Sequence, residues 1–124
     1  MTTYIEPNNL ADLLLVEVKT GWTKQRVTFA MGPPIRAGLV IAHVEGKYVP
    51  LDVAATNGAE LAVGVAGDAV DTANVDAQGM AILRGAVLAK GALLWPSDMT
   101  SVLVDAALAH LESRGICAIS TLEI

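Results

Sequence analysis

Residues 94–115 read LWPSDMTSVLVDAALAHLESRG and contain the most clearly bounded element that the sequence predicts. Ser97 or Thr100 can cap the N-terminal end of a helix by accepting a backbone hydrogen bond. Gly115 can adopt the left-handed conformation that closes a helix. Apolar residues spaced three and four apart lie on one face and comprise Leu103, Val104, Ala107, Leu108 and Leu111. The stretch therefore predicts one amphipathic C-terminal helix over about residues 99–114.

Short apolar runs that are separated by glycine, proline and acidic residues precede the helix and are typical of β-strands. Glu45-Gly46 between two such runs predicts a tight hairpin, and Gly64 within another run predicts a bulge or a close backbone approach. Residues 10–18 are apolar without a clear period and fit a strand or a short helix. The expected strands cover residues 25–30, 39–44, 47–49, 61–66, 80–88 and 116–119, with a loop at 68–79. The chain is thus predicted to be mainly β with one C-terminal helix.

The length of 124 residues is typical of one domain, and 53% hydrophobic residues are enough for a core. Residues 1–9 contain Pro7-Asn8-Asn9 and few apolar groups, so they cannot form a core of their own. We therefore expect residues 1–18 to form an N-terminal arm and a strand, partly flexible, and residues 19–124 to form a single domain.

Only 17% of the residues are charged and the net charge is −5, which restricts the kind of partner. The eight basic residues are too scattered to neutralise several phosphates together, so nucleic-acid binding is not expected. No apolar run approaches the ~18–20 residues of a membrane span, so no membrane partner is expected either. With so few charged residues, two interpretations remain open. Either the protein is an oligomer that buries apolar surface between its subunits, or it is an alanine-rich fold that packs well. The oligomer is favoured.

No set of residues has the types and spacing that catalysis requires. The acids between Asp68 and Asp76 lack the alternation and the downstream acid of a calcium loop. His43 and His110 have no Glu or His four residues away in a zinc-binding pattern. Cys117 lies in an apolar run, where a buried small side chain is the expected role. The sequence therefore predicts no catalytic, cofactor-binding or metal-binding residue, and we do not expect an enzyme.

Four short blocks follow one another along the chain: GKYVPLD at 46–52, AATNG at 54–58, VD at 70–71 and LWP at 94–96, ahead of the helix. Each block alone is a short apolar or turn phrase. Their order and spacing together resemble the family of lambda-type phage head decoration proteins, and the resemblance covers roughly residues 13–119.

The resemblance implies a compact fold of the β-clip type with no catalytic residue and no cofactor. It implies a homotrimer that binds the major capsid protein on the outside of the expanded phage head, at its local three-fold positions. The role implied is a cement that stabilises the head against packaged DNA. The protein would then lie on the outer surface of the virion, after assembly in the host cytoplasm.

Two groups of residues follow from this resemblance as candidate contacts. The arm, its strand and the segment before residue 27 are expected to meet the capsid through Leu10, Leu13, Leu14, Trp22, Lys24 and Arg26. Tyr48 and Trp95 are expected to anchor either the core or the trimer seam, because tryptophan and tyrosine are over-represented among the energetic anchors of interfaces.

Two other classes of function remain open from the sequence. One is a small β-clip module of a cellular protein that binds a ligand or a peptide. The other is a trimeric enzyme whose charged groups converge from different subunits at an interface. A stable trimer would favour the decoration protein or the enzyme, whereas a monomer would favour the binding module.

Overall fold

The computed structural model describes residues 13–19, 21–97 and 99–120, which form a barrel, a small sheet and one helix. The elements are β1 Leu14–Glu17, β2 Lys24–Phe29, β3 Val40–Val44, β4 Lys47–Pro50, β5 Gly64–Ala66, β6 Ala77–Ile82, β7 Ala86–Ala89, α1 Ser101–Ser113 and β8 Ile116–Ile119. Strands β2-β4-β3-β5-β6 close the barrel, and β1-β7-β8 form the sheet. The predicted mainly β fold with one C-terminal helix is confirmed over the described residues.

Helix α1 begins and ends as its local sequence predicts. Thr100 accepts a hydrogen bond from the backbone N–H of Leu103 at 3.2 Å, so it is the cap and Ser97 is not. Gly115 follows the C-terminal end with a φ of 81°. The predicted apolar face is the buried or half-buried one, comprising Leu103, Val104, Ala107, Leu108 and Leu111. This face covers the cluster between the helix and the barrel.

The barrel wall separates two hydrophobic clusters. Successive residues of a strand point to opposite faces, so Val40 of β3 points outward and Ile41 points inward. The inner cluster comprises Phe29, Ile35, Ile41, Ala66, Ala81 and Leu83. The outer cluster lies between the wall, the sheet and α1, and includes Leu13, Val40, Val65, Ile82, Leu88, Leu111 and Ile116. One wall therefore contributes to both cores, which places the sheet and helix firmly on the barrel.

The predicted strand over residues 80–88 is instead two strands in different sheets. β6 ends at Ile82, β7 begins at Ala86, and Gly85 between them has a φ of 58°. The prediction of one strand was wrong because this glycine turn carries the chain from the barrel to the sheet. β6 also begins at Ala77, inside the predicted loop, because all six of its residues pair with β2.

Strand β5 is shorter than predicted and covers only Gly64–Ala66. The close backbone approach predicted at Gly64 is confirmed, because a Cβ there would lie 2.7 Å from the carbonyl oxygen of Ile82. Only a residue without a side chain lets β5 lie this close to the end of β6.

Thr23 connects the segment before β2 to the turn that leads into β7. Its side chain is fully buried, and its hydroxyl donates to the carbonyl of Gly85 at 3.0 Å. The same oxygen accepts from the backbone N–H of Lys19 at 3.2 Å. Because this buried hydroxyl both donates and accepts a hydrogen bond, it holds Lys19, Thr23 and Gly85 in a fixed arrangement.

Asp76 joins the loop before β6 to the turn after β2 and to the β3–β4 hairpin. Its Oδ1 accepts from the backbone N–H of Met31 at 2.7 Å, and its Oδ2 lies 2.5 Å from the Lys47 ammonium. The hydrogen bond from Lys47, followed by that from Met31, lowers the pKa of Asp76 below its ordinary value of 3.8. These contacts favour the ionised carboxylate in the folded state.

We expect Thr23→Val to lower the free energy of unfolding by about 1 kcal/mol, because it removes the hydrogen bond from the buried hydroxyl to the carbonyl of Gly85 and takes away the acceptor of the Lys19 N–H. Urea unfolding would measure the loss. The matched control is Thr56→Val at an exposed loop position, which should change stability by less than about 0.5 kcal/mol. Equal losses in the two variants would contradict the role assigned to the Thr23 hydroxyl.

A carboxyl whose pKa is lower in the folded state contributes stability above its unfolded pKa, and that contribution is lost as pH falls through the folded pKa. We therefore expect part of the acid destabilisation below about pH 4 to come from Asp76. Asp76→Asn and Lys47→Met should both flatten the dependence of unfolding free energy on pH in this range. Thermal unfolding between pH 2.5 and 5 would test this, and a wild-type slope in both variants would refute it.

Candidate interaction surface

Strand β1 is an edge strand that exposes apolar side chains. Its pairing with β7 shifts register between Leu14 and Val16, and this irregularity leaves both Leu15 and Val16 exposed. Leu14 is half-buried and packs against the outer cluster. Val18 follows the strand and is also exposed. Apolar side chains in contact with water on an edge strand are typical of a surface that another chain covers.

The exposed face of the three-stranded sheet continues this apolar surface. Val16 pairs with Val87, and Val87 pairs with Cys117, so the three side chains form one row across the sheet. Val87 and Cys117 are half-buried, and Ile119 at the end of β8 is exposed on the same face. No charged residue interrupts this row among the described strands.

Trp22 stands beside the row and is held in place while 46% of it remains exposed. Its ring packs over Gly85, where an added Cβ would lie 2.3 Å from the ring atom Cζ3. The guanidinium carbon of Arg84 lies 5.9 Å from the ring centroid, within the range of a cation–π interaction. Arg84 also donates to the carbonyl of Trp22 at 2.6 Å and to Gln25 Oε1 at 3.0 Å. The indole is thus ordered before any partner binds.

Positive charge collects around Trp22 although the chain as a whole is acidic. Residues 13–26 contain Lys19, Lys24 and Arg26 but a single acid, Glu17. Lys24 pairs with this acid at 3.5 Å, and Arg26 donates to Gln78 Oε1 at 3.2 Å. We call this surface the β1–β2 patch and define it by Leu15, Val16, Val18, Lys19, Trp22, Lys24, Arg26 and Arg84.

Three of the six predicted contact residues make separate contacts at the surface: Trp22 packs on Arg84, Lys24 pairs with Glu17, and Arg26 bonds to Gln78. Their part in a capsid contact stays a prediction. Leu14 contributes its backbone to β1 but turns its side chain toward the core. Leu13 is 0% exposed and belongs to the outer cluster, and its part in a capsid contact stays a prediction. Leu10 lies outside the described residues.

Sequence reasoning missed Arg84, which packs on the ring of Trp22. Val18 lies within the arm and strand that were expected to meet the capsid, and its side chain is exposed. Arg84 gave no signal, because it is 62 residues away from Trp22 in the chain.

Tyr48 and Trp95 contact the cores within a single chain. The Tyr48 ring packs edge-on against Phe29 and His43, with ring centroids 6.5 Å and 4.9 Å apart. Trp95 is half-buried and packs against the outer cluster. The preceding residue, Leu94, pairs with Leu39 and thereby fixes where the indole enters. The part that either ring plays in a trimer seam stays a prediction.

Asp68, Asp71 and His110 make hydrogen bonds within the fold. Asp68 accepts from the backbone N–H of Met80 at 3.0 Å, and Asp71 accepts from that of Ala73 at 3.0 Å. His110 bonds through Nδ1 to the carbonyl of Ala62. Over residues 13–19, 21–97 and 99–120, no three His, Cys, Asp or Glu side chains gather as metal ligands would. In the same ranges no helix has the length and apolar character to span a membrane.

The sequence matches the model of a known protein family. The family model described as bacteriophage lambda head decoration protein D matches residues 3–116, which is most of the chain. No curated protein matches the chain. The matched range includes every strand of the barrel, the β1–β2 patch and helix α1. The chain therefore belongs to the family of the bacteriophage lambda head decoration protein D, a family of structural capsid proteins and not a class of enzymes.

Proposed function

We propose that this protein binds the outside of an expanded phage head as a homotrimer at the local three-fold positions. There it joins neighbouring copies of the major capsid protein and stabilises the shell against the pressure of packaged DNA. The β1–β2 patch is the surface that meets the capsid. The observation that carries this proposal is the family match over residues 3–116, combined with an exposed and ordered tryptophan within that range.

The composition of the β1–β2 patch supports a protein partner. Tryptophan and arginine are the residue types most enriched at the energetic centre of protein interfaces. Trp22 and Arg84 are already packed on each other, so little conformational entropy is lost when a partner covers them. Leu15, Val16 and Val18 extend the apolar area beside them.

The contribution of Trp22 to the free energy of binding can be estimated from the area that its side chain exposes. An aromatic side chain presents roughly 150–250 Å² of surface, so covering its exposed part removes about 100 Å² from water. At roughly 25 cal/mol per Å², this burial contributes about 2–3 kcal/mol to binding. Three copies of the patch in one trimer would act together, so a modest affinity at each site becomes tight attachment to the lattice.

The charge of the patch indicates what the partner surface is like. Lys19, Lys24 and Arg26 belong to the patch, and Lys24 pairs with Glu17. A capsid surface that offers acidic groups around an apolar centre would complement it. Binding of this kind weakens as salt is added, because exposed charges are screened.

We expect Trp22→Ala to weaken binding to expanded, undecorated capsids about 30-fold, since about 2 kcal/mol of burial is lost. Arg26→Glu should weaken it about tenfold, and more salt should reduce that difference. Co-sedimentation with capsids over a range of protein concentrations would measure both. Val102→Ala and Arg36→Glu are matched controls, because both residues are exposed and lie away from the patch.

Wild-type protein that stays in the supernatant while the shells remain intact would overturn the proposed function. Wild-type binding with no loss in Trp22→Ala or Arg26→Glu would leave the decoration role standing but remove the β1–β2 patch as its contact. Thermal unfolding of each variant separates lost contacts from lost folding.

Deletion of residues 2–9 is expected to weaken capsid binding and to leave the trimer intact. The reason is the predicted role of these residues as an arm that orders on its partner, with its own core too small to fold alone. Capsid co-sedimentation and analytical ultracentrifugation of the same variant would test the two halves of this prediction. Loss of the trimer would contradict the assignment of an arm.

A further inference from the structure

The loop that follows β4 contains an asparagine directly before a glycine, Asn57-Gly58. Over residues 13–19, 21–97 and 99–120 the other asparagine is Asn74, which precedes the β-branched Val75. An asparagine side chain can react with the nitrogen of the next peptide, because this nitrogen and the side-chain carbon Cγ close a five-membered ring. Glycine has no Cβ to hinder that approach. Asn57 is therefore a candidate site for a covalent change within the chain itself.

The backbone nitrogen of Gly58 has a base beside it. Its N–H donates to Oε1 of Glu60 at 2.9 Å. A peptide nitrogen attacks a carbonyl carbon only when it gives up its proton, and a carboxylate within hydrogen-bond distance can accept that proton. The N–H lies in the plane of the peptide, whereas the attack uses electrons above and below this plane. Glu60 can thus take the proton without obstructing the side chain of Asn57.

The side-chain carbonyl of Asn57 has a hydrogen-bond donor beside it. The backbone N–H of Ala59 donates to Asn57 Oδ1 at 3.2 Å. Negative charge develops on this oxygen when a nucleophile adds to Cγ, and an oriented N–H stabilises that charge. The same hydrogen bond bends the side chain of Asn57 forward along the chain, toward the peptide of Gly58. The loop therefore provides both a base for the nucleophile and a donor for the carbonyl that it attacks.

The backbone at Gly58 is held in one conformation by its surroundings. Its φ is 108°, which favours glycine, and a Cβ there would lie 3.0 Å from the carbonyl oxygen of His43. Its own carbonyl accepts from the backbone N–H of Leu61 at 3.2 Å. The side chain of Asn57 is nevertheless exposed, so water can reach it. Groups that are held together in this way react at a lower entropy cost than groups that must first meet.

We propose that Asn57 undergoes deamidation by its own loop and becomes aspartate or isoaspartate. The nitrogen of Gly58 forms a bond with Cγ of Asn57 while its proton passes to Glu60. The bond from Cγ to Nδ2 then breaks, and the side-chain nitrogen leaves as ammonia with the proton that Glu60 returns. Water adds to either carbonyl of the resulting succinimide ring and opens it. The step occurs once in each chain, so it does not make the protein an enzyme.

The two products change the loop in different ways. Aspartate keeps an oxygen for the Ala59 N–H and adds one negative charge near Glu60. Isoaspartate carries the main chain through Cγ and so lengthens the loop by one methylene group. Either change is irreversible and lies beside α1, because the loop is bonded to this helix through His110 and the carbonyl of Ala62. The inference does not depend on the proposed function, since every reacting group belongs to one loop of a single chain.

The test is incubation of the folded protein at mildly alkaline pH, followed by proteolysis and tandem mass spectrometry. We expect residue 57 to gain the mass that replaces a side-chain amide by a carboxylate, in two separable forms for aspartate and isoaspartate. Asn74 is the internal control, because it is exposed in the same chain but precedes Val75, and it should stay unchanged. The urea-unfolded chain should convert residue 57 more slowly, because it lacks the oriented groups of Glu60 and Ala59.

A variant of Glu60 tests the base directly. Glu60→Gln keeps an oxygen that can accept from the Gly58 N–H but cannot take up the proton, so the rate at residue 57 should fall at least about tenfold. Asp52→Asn is the matched control, because it removes a carboxylate from the same loop that accepts from the N–H of Ala54 at 3.1 Å and not from Gly58. This control should convert at the wild-type rate. Thermal unfolding checks that both variants are folded.

Three results would overturn the proposal. If residue 57 stays an amide in the folded chain while the unfolded chain converts, the loop protects Asn57 instead of activating it. If Glu60→Gln converts as fast as the wild type, its carboxylate takes no part. If Asp52→Asn slows conversion as much as Glu60→Gln does, the loss of charge and not the contact with Gly58 is the cause. Should Glu60→Gln fail to fold, the comparison of folded and unfolded wild-type chains still decides.

Discussion

The junction between the barrel and the three-stranded sheet depends on Gly85, because a side chain at this position would not fit. Its carbonyl accepts hydrogen bonds from the Thr23 hydroxyl and from the backbone N–H of Val18, so the segments before and after residue 20 converge on one atom. The ring of Trp22 occupies the space that a Cβ would need. The backbone at Gly115 approaches from the other side. The turn that joins the two sheets therefore also sets the orientation of the exposed indole.

The barrel wall contributes side chains to both hydrophobic clusters, and this explains why the chain is rich in aliphatic residues and poor in aromatic ones. Strands β3, β5 and β6 contribute alternate residues to two cores, so both faces of each strand must be apolar and compact. Valine, isoleucine and alanine meet this demand, which accounts for 53% hydrophobic residues with only 4% aromatic. A wall that is buried on both sides leaves the protein's contact surfaces to the periphery.

Local signals explain which elements could be predicted from the sequence. Helix α1 was predicted within two residues at each end, because its cap, its period and its closing glycine all lie inside one stretch. The division of residues 80–88 was missed, because it depends on Trp22 and Thr23 packing against Gly85 from more than sixty residues away. The burial of Leu13 could not be predicted from the local sequence either. An apolar run before an irregular edge strand does not reveal which of its leucines faces the core.

The positive charge around Trp22 belongs to a chain whose net charge is −5, so the remainder of the molecule carries the excess of negative charge. A positive region on an acidic molecule is attracted to a surface of negative potential, while the net charge of the whole molecule repels approach from another side. Toward the proposed acidic partner surface, this uneven charge would favour approach with the Trp22 side foremost, before either surface loses its bound water.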